Sequence, residues 1–211
     1  ELDVVIPISF FEKAGQVFYN TVAMADTDGS VLGIYRKSHI PDGPGYNEKY
    51  YFRSGDTGFR VWDTAHGRVG VGICWDQWFP EGARTMALLG AEVILYPTAI
   101  GSEPGRSDFD SSRHWQRTQQ GHAAANMTPV AAANRIGRET VAGKVQSYYG
   151  SSFIAGPDGA LVAEAGRDDE TVLTASFDRE ALANDRAAWG LFRDRQPSLY
   201  NPLFRADGGQ A

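Results

Sequence analysis

Short apolar runs broken by Gly, Pro, Asp and Asn set the pattern of the first hundred positions, and they predict strands more often than helices. Leu2-Asp3-Val4-Val5-Ile6-Pro7-Ile8-Ser9 is dense enough in β-branched residues for a buried strand. Phe18 to Ala25 and Val31 to Tyr35 predict a hairpin across Asp26-Thr27-Asp28-Gly29-Ser30, whose Asp and Gly residues tolerate turn angles. Pro41 to Gly45 breaks regular structure, and an aromatic loop continues through Phe52 to a turn at Ser54-Gly55-Asp56-Thr57-Gly58. Loops of that length and character tend to line sites. Phe59 to Asp63 and Arg68 to Ile73 form the next strand pair around His66-Gly67, and the second strand delivers Cys74.

Beyond Cys74 the period changes. Pro80 and Glu81 suit the first turn of a helix that runs to Leu89, where Gly90 stops it. Val93-Ile94-Leu95-Tyr96 reads as a buried strand ended by Pro97, which completes a βαβ unit. Ser111 to Asn126 predicts a helix, Pro129 to Ala133 a strand, and together they make a second crossover. Ser151 to Asp178 returns to strands with a hairpin at Pro157-Asp158-Gly159, and Arg179 to Trp189 predicts a last helix. From about Gly190 the chain is a polar arm suited to docking or oligomer contact. The 211 residues are expected to form a single α/β domain with one sizeable core.

Composition removes several functions. A net charge of -6 without clustered Lys or Arg argues against nucleic acid. No apolar run approaches the roughly 20 residues of a membrane span, and the start lacks a signal-peptide pattern. One cysteine makes no internal disulfide, so a reducing cytoplasm is the expected location. The four histidines show no metal-ligand spacing, and neither a metal nor a cofactor is expected.

The chemistry centres on Cys74, in Val71-Gly72-Ile73-Cys74-Trp75-Asp76, where an apolar strand stops shortly before a helix. A thiol there is held rigidly yet open on one side, with backbone N–H groups nearby that favour thiolate. A hydrolase built on it also needs a proton carrier and oxyanion donors. His39, His66, His114 and His122 stand in no cysteine-protease signature. Lys37, where a strand breaks into the long loop, is the other candidate.

Three segments taken together, Arg36-Lys37-Ser38-His39-Ile40-Pro41, Pro44 to Phe52, and Gly72 to Glu81, resemble the nitrilase superfamily of carbon-nitrogen hydrolases. Tyr96 to Pro104 and Trp189 to Arg195 carry the resemblance through nearly the whole chain. It implies a four-layer αββα sandwich and a homo-oligomer acting on a small carbamoyl or amide substrate. It also implies a Glu, Lys and Cys triad: Cys74 as nucleophile, Lys37 as catalytic lysine, and Glu48 as a second glutamate close by. The triad's general-base glutamate belongs to a Glu-Leu-Phe-like motif ahead of the first strand here, and this chain contains no such motif. Glu1 and Glu12 are poor substitutes, so an N-terminal portion is expected to be missing.

The resemblance is strongest to the branch that strips a carbamoyl group from a diamine derivative in polyamine synthesis. That substrate ends in a cation, and Glu103 is the expected partner for it, with Tyr46 and Trp75 as pocket walls and Thr98 and Ala99 beside them. Trp78 fits either the wall or the core, and Asp76 fits a role in holding the loop after the nucleophile. The alternatives are another amidase of the superfamily, such as a β-ureidopropionase or ω-amidase, and a non-catalytic assembly subunit.

Overall fold

The computed structural model describes residues 2–103, 109–141 and 143–209. Pro104, which closes one of the resemblance motifs, and Glu1 lie outside the described residues. The chain divides into two compact units, Glu1–Ser176 and Phe177–Ala211.

The first unit opens with an antiparallel sheet of three strands, β1 (Ile6–Ala14), β2 (Val17–Ala25) and β3 (Val31–Arg36), in that order. β1 starts later than the apolar run suggests and continues through the polar Glu12 and Lys13. Those residues are carried by pairing with Tyr19 and Phe18 across a turn that Gly15 makes at φ +62°. The second sheet has six strands. β4 (Val61–Thr64), β5 (Gly67–Val71), β6 (Val93–Thr98) and β7 (Val130–Asn134) occupy one side. After the hairpin of β8 (Ile136–Val141) and β9 (Lys144–Tyr149), β10 (Phe153–Ala155) and β11 (Leu161–Glu164) complete it, in the order β11-β10-β7-β6-β5-β4. β5, β6 and β7 run parallel, so each successive pair needs a crossover, supplied by α1 (Pro80–Leu88) and α2 (Ser112–Asn126).

Alternation along β6 explains the layering. Ile94 and Tyr96 point toward the helices and pack with Ala83, Met86, Trp115 and Ala123. Val93 and Leu95 point the other way, into a core where Val22, Met24 and Tyr35 of the first sheet meet Trp62, Val69 and Val71 of the second. Helices, six-stranded sheet and three-stranded sheet therefore stack as successive layers of an α/β sandwich.

Three stretches depart from the sequence reading. β6 does not stop at Pro97 but runs to Thr98, with Pro97 paired to Ala133. Ile94 N–H bonds toward β7 and Leu95 C=O toward β5, so the missing N–H of Pro97 falls on the β5 side. β5 has already left the sheet there, and the proline costs no ladder bond. The β8–β9 hairpin was not read at all; Gly137, at φ +90°, interrupts its apolar pattern. Residues 165–178 form no strand, although Thr171-Val172-Leu173-Thr174 is rich in strand formers, and Val172 is exposed.

In the second unit, α3 (Arg179–Trp189) is capped by the Asp178 carboxylate, which accepts from the N–H groups of Glu180 and Ala181, and it ends on Gly190 at φ +77°. Two short 3-10 turns, Pro197–Leu199 and Asn201–Phe204, follow.

Candidate active site

β5 ends at Val71 because the chain must turn sharply over β6. Gly72 donates to Leu95 C=O at 3.1 Å, and a Cβ on it would meet the Tyr96 ring at 2.7 Å. Two residues later Cys74 opens a 3-10 turn, Cys74–Trp78, at φ +44°. A non-glycine residue in the left-handed region is uncommon and costs roughly 1–3 kcal/mol, which the surroundings must hold in place. The Pro97 edge supplies a second effect. The same alternation that puts residue 97 on the β5 side puts the N–H of Ala99 there too, and it bonds Cys74.

Burial pushes the Cys74 thiol above its ordinary value, and the charges of Glu48 and Asp76 add to the rise. The Lys37 ammonium and the Ala99 N–H pull it back without cancelling the burial. The balance favours the thiol over the thiolate.

Lys37 follows β3 directly. Its main chain is fixed on both sides, by Lys37 N–H to Asn20 C=O at 2.8 Å and Gly55 N–H to Lys37 C=O at 2.7 Å. Its side chain is wholly buried, and its Nζ meets both oxygens of Glu48 at 2.8 and 2.7 Å. Glu48 sits on the 3-10 turn Glu48–Tyr50 of the aromatic loop and also accepts from Asn20 Nδ2 at 3.4 Å. Glu12 is elsewhere, bound to Arg36 and Thr21 on the opposite face of the three-stranded sheet.

Cys74 opens onto a cavity of 320 Å³. Tyr46, Trp75 and Glu103 line it, as does Trp78, which also packs against the helix-side core. Thr98 turns inward, its hydroxyl donating to Gln77 Oε1 at 3.0 Å, and Ala99 presents its backbone to the thiol. The lining also includes residues that the sequence does not assign to the site, among them Asp42, in the Pro/Gly loop, and His114 of α2, against the Trp78 ring. The cavity wall is fastened by Tyr46. Its hydroxyl accepts from Gly101 N–H at 2.9 Å and Gln146 Nε2 at 3.0 Å, which ties the loop to the unread β8–β9 hairpin. Burial raises the Tyr46 phenol to about 12, so it stays neutral.

A partly buried thiol on a forced turn, within electrostatic reach of an ion-paired ammonium, thus opens onto the cavity. The chain belongs to the carbon-nitrogen hydrolase family, whose model matches residues 1–187. It is 58% identical over 99% of its length to the N-carbamoylputrescine amidase of Solanum lycopersicum, covering 71% of that protein. It is also 59% identical over 96% of its length to the citrullinase of Francisella tularensis, again covering 71%. The crystal structure of the carbon-nitrogen hydrolase from Helicobacter pylori G27 superposes with a TM-score of 0.88 at 41% identity, over 97% of this chain and 72% of that one. The nitrilase-type fold follows from that match.

Proposed function

We propose that this hydrolase converts N-carbamoylputrescine to putrescine, carbon dioxide and ammonia through a thioester on Cys74. The thiolate attacks the ureido carbon, and the Lys37 ammonium with the Trp75 backbone N–H takes the charge that builds on its oxygen. The C–N bond to the terminal nitrogen breaks, and ammonia leaves with the proton taken from the thiol. Water then cleaves the thioester, and the carbamate released falls apart to amine and carbon dioxide. Glu48 keeps Lys37 charged and aimed. The resemblance assigns the proton transfer to a glutamate of a Glu-Leu-Phe-like motif that these 211 residues do not contain.

The observation that carries the substrate reading is the cavity itself. It joins Cys74 to two carboxylates, Asp42 and Glu103, and its described lining contains no Lys or Arg. Such a wall suits a chain ending in an ammonium and opposes one ending in a carboxylate. The citrullinase relative supports a second reading, in which the far end carries both an amine and a carboxylate.

Ammonia release from N-carbamoylputrescine, citrulline and a carboxylate-ended ureide, beside a Cys74→Ala control, separates these readings. A kcat/KM for the diamine derivative at least about 100-fold above the others is expected, the scale of one unmatched charge. A preference for citrulline or the carboxylate-ended ureide would overturn the putrescine reading. The proposal extends to a homo-oligomer working in the cytoplasm, supported by the family resemblance and by the single unpaired thiol.

A further inference from the structure

The Asp76 side chain is fully buried, lies two residues beyond the nucleophile, and is claimed from two directions. Its Oδ2 accepts from Ile73 N–H at 2.9 Å and from the Tyr35 hydroxyl at 2.7 Å. Its Oδ1 accepts from His39 N–H at 3.0 Å and meets His39 Nδ1 at 2.8 Å. Since a carboxylate only accepts, Nδ1 carries a proton, and the imidazole ring is held flat on Phe79 at 3.6 Å.

Each of those partners borders a catalytic position. Ile73 immediately precedes Cys74, and Asp76 N–H also donates to Ile73 C=O at 3.1 Å, so one residue closes the turn on which the thiol sits. Tyr35 and His39 bracket Lys37. The Tyr35 hydroxyl spends its proton on Asp76, so it accepts from Ser38 N–H and Ser38 Oγ, each at 3.0 Å. Burial and the Asp76 charge keep that phenol protonated. The residues at 38 and 39 are thus tied to the residue at 73 through one carboxylate.

We infer that Asp76 is a positioning residue which sets the separation of the Lys37 ammonium from the Cys74 thiol, touching neither substrate nor sulfur. Its charge alone works against the thiolate, being one of the influences that raise the thiol. A role in the site must therefore come from the geometry it enforces. An asparagine has one acceptor oxygen, and its NH₂ would face either Tyr35 O–H and Ile73 N–H or the His39 donors, which breaks one arm of the clamp.

The test is a double-mutant cycle on the intact protein, with Cys74 alkylation by iodoacetamide at fixed neutral pH as a readout independent of substrate identity. Asp76→Asn is expected to slow alkylation when Lys37 is present and to leave it unchanged or faster when Lys37 is replaced by Met. With the carbamoylated substrate, this variant is expected to lower kcat by about 100-fold with KM nearly unchanged, the scale of a small misplacement of reacting groups. Equal effects in both Lys37 backgrounds, or wild-type alkylation, would overturn the inference. If Asp76→Asn does not fold, Tyr35→Phe, which removes the Tyr35 link between Asp76 and Ser38 and leaves the Ile73 and His39 bonds in place, carries the same cycle. It must then show the same dependence on Lys37 at smaller size, and additivity there also overturns it. The alkylation arm stands apart from the substrate proposal, so failure of one is distinguishable from failure of the other.

Discussion

Both oxygens of Glu48 contact the Lys37 ammonium, at 2.8 and 2.7 Å, and the lysine side chain has no solvent exposure. The pair joins the end of β3 to the aromatic loop, which also carries Tyr46 of the cavity wall. Removing one partner from a buried pair typically costs about 3–5 kcal/mol, because the other charge is left uncompensated. Glu48 keeps a quarter of its exposure, which moves the expectation for Glu48→Gln toward the lower end. Thermal unfolding should show a clear loss, and kcat/KM should fall by about 100-fold, equivalent to about 2.7 kcal/mol. A variant with wild-type kinetics would remove Glu48 from the site.

The raised thiol gives a pH expectation. Burial favours the neutral form, so the fraction of reactive thiolate at Cys74 climbs only at pH values above those of an ordinary cysteine, about 8.5. The iodoacetamide inactivation rate of the resting protein should therefore keep rising through that value. In linkage terms, a group whose folded pKa is raised contributes stability below its unfolded pKa, and this is lost as pH rises through the folded value. A profile that levels off near neutrality would show a thiolate already formed.

Charge on the cavity wall should appear in binding. A hydrogen bond to a charged group is worth about 1.5–3 kcal/mol, so Glu103→Gln should raise KM for a cationic carbamoyl substrate by about 10- to 100-fold. A short neutral amide has no cation to set against Glu103 and should be hydrolysed with little change. Equal losses on both substrates would reassign Glu103 to the fold.

Gly101 supplies a purely steric expectation. It pairs with Tyr148, and a Cβ there would stand 1.9 Å from Ser147 C=O. Gly101→Ala must push the β8–β9 hairpin away and release the Tyr46 hydroxyl. Overpacking of this kind costs about 1–3 kcal/mol or more, and activity should fall together with the melting temperature. Unchanged stability would show that the hairpin docks loosely.

The motifs that hold Lys37, Glu48 and Cys74 were legible through the family resemblance, and the fold brings Lys37 and Glu48 into contact. The two βαβ crossovers were legible as well, since the switch from period-two to helical spacing at Pro80 and Ser111 is abrupt. What escaped depends on partners distant in sequence. The unread β8–β9 hairpin holds Gln146, whose contact with Tyr46 spans 100 positions. The full claim on Asp76 needs Tyr35 of β3 and His39 of the loop that follows it, some forty residues earlier, to be packed against it. Pro97 misled because its lost donor matters only where a neighbouring strand is present to accept it, and β5 has turned away by then.

The most direct measurement is mass spectrometry of the intact protein quenched during turnover of the carbamoylated amine. The expected result is an acyl adduct that contains the amine chain, confined to the peptide carrying Cys74 and cleared when substrate is exhausted. Unmodified Cys74 in samples that are releasing ammonia at the full rate would contradict the account.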